Sequence, residues 1–251
     1  MFRRIVLSAV GAGIITGLLI TLVELFAVVP LIQEAELYEE GVLNKSGAAV
    51  AQKPGELQRA PGSARAHAQH EHEIGGDHEH GGGEHRRGLY TAIASIFTAI
   101  GYAFLLGVFF SQMKSVGWKR GIALGLAGFA VFQLAPALGL PPAPPGMIEA
   151  DVTHRQIWWL GTAFATGLGL GACYFAYKHK KYAWALGGLL LIILPHFIGA
   201  PQPTAGEDVV PAELARNFAI VALLTAGLFW LVLGSVQGYL FNKLDQRPAL
   251  N

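Results

Sequence analysis

Six stretches of this chain reach the ~20 apolar residues that a helix needs to cross a bilayer. They are residues 5–29, 89–110, 121–140, 157–177, 182–200 and 218–240. In hydrocarbon, a backbone N–H or C=O finds its partner inside its own helix or in a closed barrel. The segments therefore predict an all-α, polytopic integral membrane protein: one membrane domain of about six helices, arranged as three hairpins (helices 1–2, 3–4 and 5–6). Charge agrees, since 14% of the residues are charged, against ~25% in a soluble domain. The first segment follows "MFRR" and contains Glu24. It is longer than the roughly 7–15 apolar residues of a secretion signal and has no clear A-x-A site, so it reads as an uncleaved anchor.

Lysine and arginine set the orientation. Arg3 and Arg4 precede helix one; Lys114, Lys119 and Arg120 separate helices two and three; Lys178, Lys180 and Lys181 separate four and five; Lys243 and Arg247 follow helix six. The opposite connections carry Glu34, Glu36, Glu39 and Glu40, then Glu149 and Asp151, then Glu207, Asp208 and Glu213. Arg86 and Arg87 depart from the pattern, in a long loop whose charge counts for less. Six spans with both termini cytoplasmic fit this pattern, and residues 33–88 then face outward. That loop is polar and rich in small residues, which predicts disorder.

Within it, "HAQHEHEIGGDHEHGGGEH" (67–85) gathers six of the nine histidines. Neutral imidazole is a common ligand for divalent transition metals. His67, His70, His72, His78, His80 and His85 alternate with carboxylates such as Glu71, Asp77 and Glu79, which add oxygen ligands. Glycines let the chain wrap an ion. The spacing matches neither HExxH nor a zinc finger, so the stretch is suited to collecting metal rather than selecting it. The plain alternative is a solvated linker.

Ionisable groups inside spans are costly and mark pathways. Glu24, Gln133 and His196 each sit several residues before the outer end of an outward-running helix, roughly 8–12 Å below the surface at 1.5 Å per residue. They are the candidate intramembrane metal path, with Asp151 and His154 at its mouth. Structural alternatives are an ion pair of Glu24 with Arg155 or Arg216, and helix packing by His196 and Gln133. Pro30, Pro136 and Pro195 lie near the same boundary, and Pro136 and Pro195 are expected to break the helical ladder and free carbonyls. "GIITG" (13–17), "GIALG" (121–125) and "GLGLG" (167–171) are small-residue faces expected to pack helices together.

"LAPALGLPPAPPG", "RQIWWLGTAFATGLGLG" and "PHFIGAPQP" together resemble the CbtA-type cobalt transporter subunits, over nearly all the chain except the histidine-rich insert. The resemblance implies a multi-pass protein of the bacterial inner membrane that imports cobalt for cobalamin biosynthesis. It also implies a small single-span partner of the CbtB type that carries its own histidine cluster. The family is usually described with five spans, whereas this sequence shows six. Cobalt (Co2+) is cargo on this reading, and no prosthetic group is expected. The alternatives are a membrane-anchored metal sensor or chaperone, or a nickel or zinc transporter. No HExxH, GxSxG or Walker sequence points to an enzyme. The lone Cys173 excludes an intramolecular disulfide and any CxxC site.

Overall fold

The computed structural model describes residues 1–51, 82–113, 115–203, 206 and 208–245. Among them all regular structure is helical, in six rods. The first rod is α1 (Phe2–Val23), a π turn (Glu24–Val28) and α2 (Val29–Ala51) in unbroken succession. The second is α3 (Gly82–Ser111). The third joins α4 (Trp118–Phe129), a second π turn (Ala130–Leu134) and α5 (Ala135–Ala137). Then come α6 (Val152–His179), α7 (Tyr182–Ile198) and α8 (Ala212–Asp245).

Four rods are long and apolar enough to span a membrane: Phe2–Gly41, Gly88–Ser111, Trp118–Ala137 and Ala212–Asp245. The apolar α7 is shorter, at 17 residues. The 28-residue α6 is diluted by glycine, threonine and a polar first turn and is not among the four.

The first rod corrects an expectation. Residues 33–51 are helical rather than loop, and α3 already begins at Gly82. Pro30 therefore does not close helix one. At about 1.5 Å per residue, this rod outruns the ~30 Å hydrocarbon layer by a wide margin. Its extension is seated on the connections that follow α5 and α7: Ala35 is buried with Val210 and Leu214, against Leu31, Met147 and Val209. The main-chain N–H of Ile148 donates to Asp208 (2.9 Å), tying those two connections together.

The bundle is held where backbones touch. α1 packs on α3 through Gly13 and Gly17: a Cβ on Gly13 would lie 2.7 Å from the Ile100 nitrogen, and one on Gly17 2.5 Å from the Ile96 Cα. α4 packs on α8 in the same way. A Cβ on Gly125 would run into the Trp230 carbonyl oxygen, and one on Gly234 would lie 3.0 Å from the Gly125 Cα. In α6 the glycine of contact is Gly169, against Gly188 of α7, whereas Gly167 and Gly171 touch neither. α1 also packs against α8.

These contacts correct the hairpin expectation. Helices 1–2 pair as expected, but the third rod packs on the sixth and the fourth on the fifth. Grooves deep enough for backbone contact, rather than short connections, choose the partners.

Between α3, α4 and α8 lies the core, with Phe110, Leu233, Trp230 and Phe241 almost fully buried. Tyr102 packs on Trp230 at 4.8 Å between ring centroids. Near the chain termini, the Arg4 guanidinium donates to the Phe241 carbonyl (2.7 Å) and to Asp245 (2.6 Å). Lys180, left-handed at φ 54°, closes α6 as its N–H donates to the Ala176 carbonyl, and α7 starts two residues later. The basic turns at Lys119–Arg120 and Lys178–Lys181 thus lie at the end of the bundle that holds Phe2 and Asp245, and Pro30, Pro136 and Pro195 lie at the other.

Gly125→Ala should lower the melting temperature in detergent, because its Cβ meets main chain that cannot yield; overpacking typically costs about 1–3 kcal/mol. Gly101, with nothing within 4 Å of a Cβ, should accept alanine without loss. Equal melting temperatures for the two variants would contradict the glycine contact.

Candidate functional site

Proline has no N–H, and its ring collides with the carbonyl four residues back. Twice this chain absorbs that collision with a π turn. The Val29 N–H reaches back five residues to the Glu24 carbonyl, with Pro30 next. The Ala135 N–H reaches the Ala130 carbonyl, with Pro136 next. In both, the proline stands six residues after the first residue of the turn. The widened turn shifts the ladder by one residue, so the helix continues while nearby carbonyls lose their donor. Such turns recur at functional sites.

Two of the three polar residues predicted for the spans fall in these turns, Glu24 opening the first and Gln133 inside the second. Glu24 accepts a hydrogen bond from the Ser95 hydroxyl of α3 (2.9 Å). Neither expected arginine reaches it: Arg155 pairs with Glu149, and Arg216 is exposed. Gln133 is half-buried, and α6 and α8 both pack on its turn.

α8 also packs on the first turn. The antiparallel contacts Gly11–Leu240 and Gly128–Trp230, stepped along each helix, put Thr225 near the level of both turns. Thr225 is buried.

His196 follows Pro195 in α7, its ring set edge-on to Trp158 of α6 at 6.0 Å. The close partner of α7 is α6, so His196 belongs to that pair while Glu24 belongs to the α1–α3 contact. Three polar residues at one sequence depth thus sit in separate interfaces. Among the described residues, no three His, Cys, Asp or Glu side chains assemble into a metal-binding group.

Asp151 caps α6, accepting from the His154 main-chain N–H (3.1 Å), and its carboxylate lies 3.5 Å from the His154 ring nitrogen. Both are exposed. His67, His70, His72, His78, His80, Glu71, Asp77 and Glu79 lie outside the described residues. His85 is within α3, and its side chain is also outside the description.

Sequence reasoning missed Ser95, Thr225 and Gln237. Gln237 is fully buried and donates to the Ala103 carbonyl (2.5 Å). Each is a polar residue in an apolar span, Ser95 between Thr91 and Thr98 and Gln237 next but one to Ser235. That signal was visible, but the face each would occupy was not.

The family model described as "Probable cobalt transporter subunit (CbtA)" matches residues 2–242. No curated protein matches the chain, and no solved structure does.

A double-mutant cycle of Glu24→Ala and Ser95→Ala, read by melting temperature, should give a coupling of about 1–2 kcal/mol. Additive effects would mean that the two side chains do not interact.

Proposed function

Because the chain belongs to the CbtA family of probable cobalt transporter subunits, we propose that it is the membrane subunit of a cobalt uptake system. It lies in the bacterial inner membrane with both termini in the cytoplasm. Basic turns gathered at the end that holds the termini support that orientation. All six helical rods cross the bilayer on this reading, α6 and α7 included, because α7 returns from the turn at Lys180 to the proline end.

The histidine-rich stretch 67–85 collects Co2+ outside. The ion then passes polar stations in the spans, Glu24, Gln133 and His196, entering past Asp151 and His154. A divalent ion leaving water needs replacement ligands. A carboxylate and an amide on proline-linked π turns, an imidazole behind Pro195 and carbonyls without donors supply the chemistry. The observation that carries the transport reading is Glu24: a carboxyl group within a span, held by the Ser95 hydroxyl at one of two matching π turns. A purely anchoring helix has no use for it, given the cost of such a group in lipid. A small CbtB-type subunit with its own histidine cluster is the proposed partner.

The test is cobalt accumulation by cells carrying the intact chain, a deletion of 67–85, Glu24→Ala or His196→Ala. The deletion should fail only at scarce cobalt, while each point variant loses uptake at unchanged protein level. Normal uptake in both point variants, with total loss in the deletion, would instead identify an anchored metal-binding sensor. Nickel and zinc uptake by the intact chain tests the choice of cargo.

A further inference from the structure

The run Lys178–Lys181 turns α6 into α7, and lysine fills every position in it except His179. Lys178, Lys180 and Lys181 are all exposed, and among the described residues none of them has an ion-pair partner. Other cations at that end of the bundle do find partners within the chain. Arg4 pairs with Asp245, Arg120 with the Ser115 hydroxyl, and Lys119 and Lys243 lie over the rings of Trp118 and Tyr239. Lys180 is left-handed besides, at φ 54°, in a helix-end position that usually goes to glycine. A side chain is disfavoured in that conformation, so the charge is kept there against backbone preference.

Next to this turn the α6–α7 pair opens into a groove of about 420 Å³, lined by Ala172, Ala183, Trp184, Gly187, Gly188 and Leu191. Residues 183, 187 and 191 are four apart, so the groove follows one face of α7. At 1.5 Å per residue it reaches roughly 10–15 Å from the turn toward the middle of the bundle. Gly188 lies against the Gly169 backbone and holds the two helices together, whereas nothing lies within 4 Å of a Cβ on Gly187. Glycine weakens a helix interior, and no helix contact accounts for this one. At the mouth, the Phe175 ring stands 4.3 Å from the His179 ring and 5.3 Å from that of Trp184, centroid to centroid. The indole is thereby set as the wall of the groove nearest the lysines.

Charge and shape together identify the occupant. The mouth offers ammonium groups and an indole N–H, which only donate, and the groove behind it offers hydrocarbon. Their complement is a molecule with an anionic head and an apolar tail. A partner's spanning helix suits the groove less well, because spans carry lysines and arginines of their own at the cytoplasmic level. A phospholipid brings its phosphate to that level instead. We infer that the α6–α7 groove binds one anionic glycerophospholipid, with an acyl chain along Gly187 and Leu191 and the phosphate among Lys178, Lys180 and Lys181. The close helix partner of α7 is α6, so the lipid supplies packing that the chain does not. The site rests on the membrane orientation proposed above and not on transport.

Native mass spectrometry of the full-length chain tests the site, with the protein in detergent and equal amounts of phosphatidylglycerol and phosphatidylcholine of identical acyl chains. Phosphatidylglycerol should be retained about tenfold over phosphatidylcholine. Lys178→Gln, Lys180→Gln and Lys181→Gln together should abolish that preference. Gly187→Leu, whose side chain enters the open groove, should lower retention of phosphatidylglycerol. Gly171→Leu, with equally open space but outside the groove, should not. Equal retention of the two lipids overturns the site, and so does a preference that survives the lysine changes. Full retention in folded Gly187→Leu would mean that charge alone holds the headgroup, and overturns the groove. In cells, a benzophenone side chain in place of Leu191 should capture phospholipid under light, whereas capture of a polypeptide, a second copy included, overturns lipid as the occupant. None of these readouts depends on cobalt uptake, so the lipid site and the transport reading fail separately.

Discussion

Lipid tails are as apolar as leucine, so helices in a bilayer gain little by hiding apolar surface from one another. Contact of main chain with main chain at glycine takes over that role here. Each of the three tightest pairs has such a contact: Gly13 and Gly17 in α1–α3, Gly121, Gly125 and Gly234 in α4–α8, Gly169 and Gly188 in α6–α7. These contacts decide which polar residues of the paired helices meet. Ser95 faces Glu24 because α3 lies against the glycine face of α1. The second π turn meets both α6 and α8 because α4 is pinned to α8 further along.

Once the helices are fixed this closely, a proline within one of them has little freedom. It can break the rod or widen one turn. Pro30 and Pro136 do the second, so the first rod continues past the bundle and the third reaches its connection intact. Pro195 is accommodated inside α7 without a π turn. The polar residues stand beside these prolines, where the ladder already lacks donors, so a group in need of a partner and carbonyls in need of one occupy the same turns. Capping by Asp151, by contrast, is local, and its exposed carboxylate does for α6 what such residues do at helix starts generally.

Much of this was legible in the residues. Apolar length gave the helices, basic turns gave their alternation, and "GIITG" and "GIALG" gave two of the three packing faces. "GLGLG" held the third, through its middle glycine, Gly169. Gly167 and Gly171 are a matched pair in sequence, but the residue between them meets α7, because helix rotation is set by the partner. The polarity of 33–51 suggests a loop, whereas the run is helical. As helix its backbone is satisfied internally, and one apolar patch around Ala35 ties it to the connections near Met147 and Val210.

What the sequence determined alone is the list of chemical groups and their depth along each helix, because rise per residue is fixed by the backbone. It placed Glu24, Gln133 and His196 at one level, and that spacing follows from the helix itself. Which interface each enters was decided only in the tertiary structure. Depth comes from counting along a helix, whereas azimuth depends on which neighbour offers a groove deep enough for two backbones to meet. For that reason Glu24 found Ser95 while His196 found Trp158.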